Sequence, residues 1–196
     1  ARPDKRLAID RVDEVKQEIG LGHLAGRHLI GLVGWIQSNK RWDILTEMWK
    51  DLHEEIKAKT GQDWTLLAAG DMRDPNHLED YEKYIQGVKL LEEQGIGHFF
   101  KFIPRGDIYY KVMGICDFIV LPSIDETQSG TLARIIALNK PYVTTAPLEG
   151  LTAQTLESGG GLLFTNRDML YESVMKLATD EGLRWELGHK LYRYLM

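Results

Sequence analysis

Short apolar runs alternate with longer amphipathic stretches along almost the whole sequence. The runs are apolar throughout, which predicts strands that are buried on both faces. The stretches between them carry apolar residues every three or four positions, which predicts helices. The predicted strands are residues 27–34, 64–70, 98–103, 117–122, 141–146 and 159–164. The predicted helices are residues 7–21, 40–61, 77–94, 107–114 and 127–139, with two more in 168–196.

Strands that alternate with helices need crossover connections, and these predict a parallel sheet with helices on both faces. We therefore expect an α/β fold, a Rossmann-like doubly wound parallel sheet of about six strands. A chain of 196 residues is long enough for one domain with a sizeable core. We expect a leading helix in residues 1–26, a core in 27–180 and a C-terminal helix in 181–196.

Composition argues against several classes of function. A net charge of -5 disfavours sequence-independent binding of nucleic acid, which needs a basic surface. No apolar run reaches the ~18 residues of a membrane span, and the charged first 20 residues do not resemble a signal peptide. We therefore expect a cytoplasmic protein. The single cysteine, Cys116, lies among core-type residues and is interpreted as a buried apolar residue rather than a nucleophile.

Ligands of doubly wound sheets bind at the carboxyl ends of the strands. The loops expected there are residues 35–39, 71–76, 104–107, 123–129 and 147–152. Lys40 opens the helix after the first strand, where its ammonium suits a phosphate, although a solvated lysine has the same pattern. The loop lacks both the Walker spacing and GxGxxG. No histidine has the spacing of a metal ligand, so we predict no metal.

Two other loops have weaker signals. Arg105 and Asp107 flank a glycine after the third strand, which predicts a tight turn with Asp107 as the helix N-cap. Gly150, Leu151 and Thr152 are predicted to form a loop above the fifth strand, with Glu149 capping the next helix or facing a ligand. Both loops lie at the expected ligand-binding edge.

The stretch from residue 123 to 131 has the strongest signal. Small residues at a helix start leave backbone N–H groups that attract an anion, and Ser129 and Thr131 add hydroxyl groups. Asp125 and Glu126 repel phosphate but accept hydrogen bonds from sugar hydroxyls. The stretch therefore suits a sugar phosphate. The alternative is that Asp125 is an ordinary N-cap and Glu126 a favourable acid in the first helical turn.

The ordered set of motifs resembles the carboxy-terminal, nucleotide-sugar-binding domain of GT-B glycosyltransferases, in the retaining group 1 (family 4) class. The resemblance covers residues 29–180, and it depends on the order and spacing of loose motifs. The motifs are "LIGLVGWIQSNKRWDIL", "WTLLAAGDMRD", "FFKFIPRGDIYYKVMGICDFIVLPS", "DETQSGTLARIIALNKPYVTT" and, more weakly, "EGLTAQTLESGGGLLF".

The resemblance implies roles for individual residues. Lys40 matches the lysine that contacts the donor diphosphate, and Glu126 matches a catalytic glutamate that addresses the donor sugar. The loop 104–108, with Arg105, matches the loop that contacts the base. The helix start that holds the phosphates corresponds to Gln128, Ser129, Gly130 and Thr131.

The sequence also departs from the family pattern. Trp35 replaces an arginine that binds the diphosphate, Arg41 replaces a glycine, and residues 127–129 replace Gly-Phe-Gly. Arg134 replaces the second glutamate, the usual ribose ligand, and a guanidinium cannot accept a hydroxyl's proton. Either the nucleoside is held differently, or Arg134 takes over the phosphate role lost at Trp35, or the domain is degenerate.

The resemblance implies transfer of a sugar, with retention of configuration, from a nucleotide-diphosphate sugar to a sugar, lipid or protein acceptor. The leaving phosphate often acts as the base in this family, and no further cofactor is implied. The acceptor domain precedes this one in the family, so we expect an isolated half that is inactive alone. Measurable transfer by the 196-residue chain would refute this. The alternatives are a scaffold without donor chemistry, and a related epimerase or phosphorylase, for which no motif is present.

Overall fold

A parallel sheet forms the centre of the computed structural model, which describes residues 9–124, 130–147 and 149–196. Its strands are β1 (His28–Ile36), β2 (Trp64–Met72), β3 (Gly97–Lys101), β4 (Phe118–Leu121), β5 (Tyr142–Thr145) and β6 (Gly161–Phe164). Within the described residues the sheet has six strands in the order β3-β2-β1-β4-β5-β6. Every pairing is parallel. The chain moves outward in one direction from β1 and then restarts on the other side at β4, so the doubly wound fold is confirmed.

Helices connect the strands as the sequence pattern predicts. They are α1 (Ile9–Glu18), α2 (Trp42–Thr60), α3 (Leu78–Glu93), α4 (Gly106–Gly114), α5 (Gly130–Ala137), α6 (Glu149–Ser158), α7 (Arg167–Thr179) and α8 (Glu181–Leu195). Helix α2 shows why they form where they do. Its apolar residues recur at helical spacing and are buried, and it ends at Gly61, whose φ of 71° continues the chain in the left-handed conformation.

The sheet is buried on both faces. Along β1, Leu29 and Val33 point to one face, whereas Ile30 and Leu32 point to the other. Helices α2, α3 and α7 pack on the face of Ile30 and Leu32. Helices α1, α4 and α5 pack on the opposite face, and α8 contributes to both cores. This double burial explains why the strands have continuous apolar sequences.

Three local predictions are wrong. Strand β1 continues through Trp35, which pairs with Asp71 of β2, so Trp35 does not lie in a loop. Gly150, Leu151 and Thr152 lie in α6, because Leu151 is buried and its carbonyl accepts a 2.7 Å hydrogen bond from Thr155.

The third error concerns the start of α4. Arg105 occupies the N-cap position with an extended backbone, and Asp107 lies in the first turn of the helix. Arg105 makes no side-chain capping bond. Gly106 has a φ of 70°, so the glycine turn itself is present. In the described part of the chain, no helix is long and apolar enough to cross a bilayer.

Candidate functional site

The switch point of the sheet lies between β1 and β4, at the carboxyl edge. The two strands pair at Ile30–Phe118 and Gly31–Ile119, whereas β1 continues to Ile36. Beyond these pairs β1 is accompanied by β2 alone, with Gly34 paired to Gly70. Doubly wound folds bind their ligands outside the strand ends at such a switch point.

Gly34 brings the end of β1 close to two hydroxyl groups. Its φ is 139°, and a Cβ atom here would lie 3.1 Å from Tyr109 Oη and 3.2 Å from Thr131 Oγ1. Those two hydroxyls are hydrogen-bonded to each other, at 2.5 Å. The bond joins α4, which follows β3, to α5, which follows β4. The three segments therefore meet at one point of the carboxyl edge.

Arg134 lies in the same cluster. Its side chain folds back along α5, and Nη1 donates a 3.0 Å hydrogen bond to the carbonyl of Gly130. The guanidinium carbon lies 4.8 Å from the centre of the Tyr109 ring and 5.9 Å from that of Tyr110. Its Nε is buried and has no hydrogen-bond partner among the described residues. A positive group with an unused donor therefore lies at the first turn of α5.

Lys40 ends a short 3-10 helix, Ser38–Lys40, directly after β1, and is half-buried. Its backbone is held by the neighbouring α3 region. Tyr84 donates a 2.9 Å hydrogen bond to the carbonyl of Ser38, and the Ser38 hydroxyl lies 2.7 Å from His77 Nδ1. Burial, followed by the charge of Asp43, raises the pKa of Tyr84 to about 12, so its hydroxyl stays neutral.

Arg41, next in the chain, has a left-handed backbone with φ 50° and ψ 44°. This conformation explains why the family pattern has glycine here. The Arg41 guanidinium bonds both carboxylate oxygens of Asp43, at 3.1 and 3.2 Å. Burial alone raises the pKa of Asp43, but the bond and charge of Arg41 outweigh burial and hold that pKa below its usual value. The Arg41 guanidinium is therefore engaged in an ion pair with Asp43, two residues later in the chain.

The loop after β4 is attached to the loop after β1. The Ile124 amide donates a 2.8 Å hydrogen bond to the carbonyl of Asn39, the neighbour of Lys40. The next residues, 125–129, lie outside the described part of the chain. Three predicted site residues, Glu126, Gln128 and Ser129, lie there.

The other predicted site residues are distributed as follows. Gly130, Thr131 and Arg134 lie in the first turns of α5, and Thr131 and Arg134 contact Tyr109. Arg105 is exposed at the start of α4, and Trp35 is half-buried in β1. The sequence interpretation missed Tyr109, since a tyrosine in a short apolar helix has the pattern of a core residue. The signal available was its position four residues after Arg105, in a segment that follows a predicted strand.

Other reactive groups belong to the scaffold. Cys116 is buried, and this burial raises the pKa of its thiol to about 12, as expected for an inert cysteine. Two clefts, of about 340 and 220 Å³, share Arg27 and Gly95 near the amino edge of the sheet. There the Arg27 guanidinium donates to the carbonyl of Gly95. The described ranges contain no group of three or more His, Cys, Asp or Glu side chains able to hold a metal.

Comparison with protein families now adds to this geometry. Residues 27–180 match the sequence model of the family "Glycosyl transferases group 1", which is well over half of the chain. The chain belongs to the group 1 glycosyltransferases. A search of the curated proteins found no match.

Solved structures of other glycosyltransferases have the same fold. WaaG, a glycosyltransferase involved in lipopolysaccharide biosynthesis, is 20% identical, with a TM-score of 0.74 over 98% of this chain and 49% of its own. HepE (Alr3699) of Anabaena, solved with UDP, is 16% identical, with a TM-score of 0.76 over 96% and 48%. The chain thus spans about half the length of these two proteins.

A third structure has nearly the same extent as this chain. It is the C-terminal domain of LpcC, a group 1 glycosyl transferase family protein from Francisella tularensis, at 18% identity. The TM-score is 0.72, and the match covers 98% of this chain and 94% of that one. The fold is therefore that of the C-terminal half of a GT-B glycosyltransferase.

Proposed function

We propose that the chain binds a nucleotide-diphosphate sugar at the carboxyl edge of the sheet and takes part in sugar transfer with retention of configuration. The observation that carries this proposal is the meeting of Gly34, Thr131 and Arg134 at the switch point of a group 1 glycosyltransferase domain. Backbone without a Cβ, a hydroxyl and a cation suit the close approach of a diphosphate. The solved complexes of HepE with UDP, and with UDP and glucose, support the choice of ligand.

In this proposal different residues contact different parts of the donor. Lys40, the α5 helix start and Arg134 or Arg105 stabilise the departing diphosphate, where negative charge grows in the transition state. Glu126 accepts hydrogen bonds from the sugar hydroxyls. The leaving phosphate takes the proton of the acceptor, so the proposal requires no separate base on this chain.

The acceptor site belongs, in this proposal, to a second domain. The chain covers about half of WaaG and HepE, and we propose that an amino-terminal domain of the GT-B type supplies the acceptor site. A cleft between two domains excludes water better than the edge of one sheet. The acceptor is a sugar, a lipid or a protein, and the isolated chain is expected to bind a donor without transferring it.

Calorimetric titration with UDP-, GDP- and ADP-sugars tests the proposal. One of them is expected to bind, and Lys40→Met is expected to weaken that binding about tenfold, as for a lost charge-assisted contact to phosphate. Lys50→Met is the matched control, because Lys50 is an exposed lysine of α2. Equal loss in both variants would contradict the assignment of Lys40.

A second candidate function is a scaffold module that has lost donor chemistry. Trp35 and Arg134 favour it, because each replaces a residue type that binds the donor in the family pattern. The same titrations separate the two candidates. If a folded sample binds none of the three nucleotide sugars, the donor-binding proposal is wrong and the scaffold remains.

A further inference from the structure

We infer that Tyr109 is a positioning residue, which holds Arg134 at the first turn of α5 so that its guanidinium binds an anionic group of the ligand. The inference rests on the proposed function, and it names the anion as a phosphate of the nucleoside diphosphate. Nothing in the family match assigns a role to Tyr109. Two features of Arg134 support the inference: its contact with the Tyr109 ring and its buried Nε, which has no partner among the described residues.

The Arg134 side chain runs back along α5, the usual direction for a long side chain on a helix. Nη1 contacts the carbonyl of Gly130, four residues earlier and the first residue of α5. The amino end of a helix carries partial positive charge, so a cation there is repelled. The Gly130 carbonyl holds Nη1 there, and a further attractive contact is needed to offset the repulsion.

Tyr109 supplies that attraction. The negative face of its ring lies 4.8 Å from the guanidinium carbon, which is the geometry of a cation–π contact. Tyr110 lies further away, at 5.9 Å. The ring thus offsets the repulsion from the helix end and, together with the Gly130 hydrogen bond, holds the backward-folded conformation of Arg134.

The Tyr109 ring is itself fixed. It is only 3% exposed, and it packs edge-to-face against Phe102 with ring centres 6.0 Å apart. Its hydroxyl bonds Thr131, one turn before Arg134 on the same helix. Phe102 packs against the ring and Thr131 bonds its hydroxyl, so the ring cannot move easily. The guanidinium that lies on its face therefore has little freedom. Such preorganisation lowers the entropy lost when a ligand binds.

The remaining polar group at this point is the Nε of Arg134, which is buried and has no partner in the described parts of the chain. A buried donor without an acceptor is unfavourable. An anion placed against the guanidinium satisfies both the charge and the unused donor. A planar guanidinium is also the side chain best suited to phosphate oxygens. Phosphate therefore fits this point better than a ribose hydroxyl.

The test compares Tyr109→Leu, Tyr109→Phe and Arg134→Met, with Arg184→Met as the matched control. Arg184 is also stacked on an aromatic ring, that of Trp64, but near the amino edge of the sheet. The probes are inorganic pyrophosphate and UDP, titrated by calorimetry. A second readout is the 15N-labelled Nε–Hε NMR resonance of Arg134, whose proton is shifted upfield by a ring beneath it.

Tyr109→Leu and Arg134→Met are each expected to weaken pyrophosphate and UDP about tenfold, with little further loss in the double variant. Tyr109→Phe keeps the ring face and is expected to stay within about twofold of the wild type, as is Arg184→Met. Salt is expected to weaken pyrophosphate binding less in both Arg134→Met and Tyr109→Leu than in the wild type.

The inference is overturned if Tyr109→Leu binds both probes like the wild type, or if Tyr109→Phe loses as much as Tyr109→Leu. Should Tyr109→Leu not fold, the wild-type resonance decides, since an Arg134 Nε–Hε at its ordinary position means that the ring does not hold it. UDP binding that is unchanged in Arg134→Met overturns this inference alone. Pyrophosphate binding that needs both residues, with no binding of any nucleotide sugar, overturns the proposed function alone. No binding of either probe overturns both.

Discussion

Two arginines lie on aromatic rings near opposite edges of the sheet, and their surroundings differ. Arg184 lies 5.2 Å from the Trp64 ring and donates to the carbonyls of Leu177 and Ala178, in the last turn of α7. A cation at a helix carboxyl end is stabilised by the helix dipole. The Arg134 guanidinium instead reaches back to the first residue of its helix, with one carbonyl partner and a buried Nε that has none among the described residues.

The difference indicates what each edge is for. Near the amino edge, charged groups close hydrogen bonds within the fold: Lys16 is 2% exposed and donates to the carbonyls of Leu24 and Arg27. Near the carboxyl edge, the backbone of Gly34 lies close to the Tyr109 and Thr131 hydroxyls, and the buried Nε of Arg134 has no partner among the described residues. Under the proposed function, the first edge serves stability and the second receives the ligand.

Among substitutions that compare the two edges, Gly70→Ala is expected to lower the free energy of unfolding most. Gly70 pairs with Gly34 at the carboxyl edge, and a Cβ atom on it would overlap the carbonyl oxygen of Gly34. Backbone in the middle of a sheet cannot move aside without breaking the pairing of β1 and β2. We expect a loss of about 3 kcal/mol or more in the free energy of unfolding, measured by urea denaturation.

Gly61→Ala is the control near the amino edge. Gly61 has a φ of 71°, but no atom lies within 4 Å of the position that a Cβ would take, so only backbone strain opposes the substitution. The expected loss is about 1 kcal/mol. Equal losses for the two variants would mean that the close approach at Gly34 does not constrain the carboxyl edge.

The fold follows from the sequence because buried parallel strands need apolar residues on both faces. All six predicted strands form, and the predicted alternation of strands and helices is observed. The boundaries are less predictable. The sequence predicts a loop at Gly150, but Leu151 is buried and α6 already begins at Glu149. The sequence analysis places Trp35 in a loop, but Trp35 pairs with Asp71 of β2 and β1 continues past it.

For the candidate site, the sequence predicts which residues lie at the carboxyl edge but not how they contact one another. Thr131 and Arg134 follow a strand end, so the sequence places them at the carboxyl edge. Tyr109 meets them through tertiary packing between α4 and α5, which no local pattern encodes. The direction of the Arg134 side chain also depends on that ring, so the sequence alone left its role open.

A moderate effect is expected from Asp117→Asn near the amino edge. The Asp117 carboxylate accepts a 2.8 Å hydrogen bond from the Leu29 amide and lies 3.2 Å from His28 Nδ1. Burial raises the pKa of Asp117, but the bond and charge of His28, the Leu29 amide and the charge of Lys140 together outweigh burial and lower it. We expect the variant to lose about 1 to 2 kcal/mol of unfolding free energy at pH 7.

The stabilisation contributed by the Asp117 carboxylate should depend on pH. The folded pKa is depressed, so the stabilisation is fully present above the unfolded pKa of about 3.9 and is lost as the pH falls through the folded value. Urea denaturation between pH 7 and pH 3 should therefore show the wild type approaching Asp117→Asn below about pH 4. Asp51→Asn, at an exposed position of α2, is the control. If the difference in unfolding free energy between the wild type and Asp117→Asn stays constant with pH, the assignment of an ionised Asp117 near the amino edge is wrong.

The smallest effect is expected for Arg41→Gly, which restores the family's glycine beside Lys40. Glycine relieves the left-handed backbone, a gain of about 1 kcal/mol. The substitution also removes the paired hydrogen bonds to Asp43, which is 6% exposed and retains the Lys83 ammonium at 3.7 Å. That loss is about 1 kcal/mol as well, since the Arg41 side chain is itself partly exposed. The net change in unfolding free energy is expected to lie within about 0.5 kcal/mol of zero.

An Asp43→Asn background separates the two contributions. There the ion pair is already gone, so Arg41→Gly is expected to stabilise the fold by about 1 kcal/mol in urea denaturation. If the substitution is neutral in both backgrounds, the backbone at position 41 carries no strain and Asp43 gains little from Arg41. Stabilisation only in the Asp43→Asn background would mean that the ion pair compensates a strained turn next to Lys40. The carboxyl edge would then keep a strained backbone beside Lys40 at a measurable cost in stability.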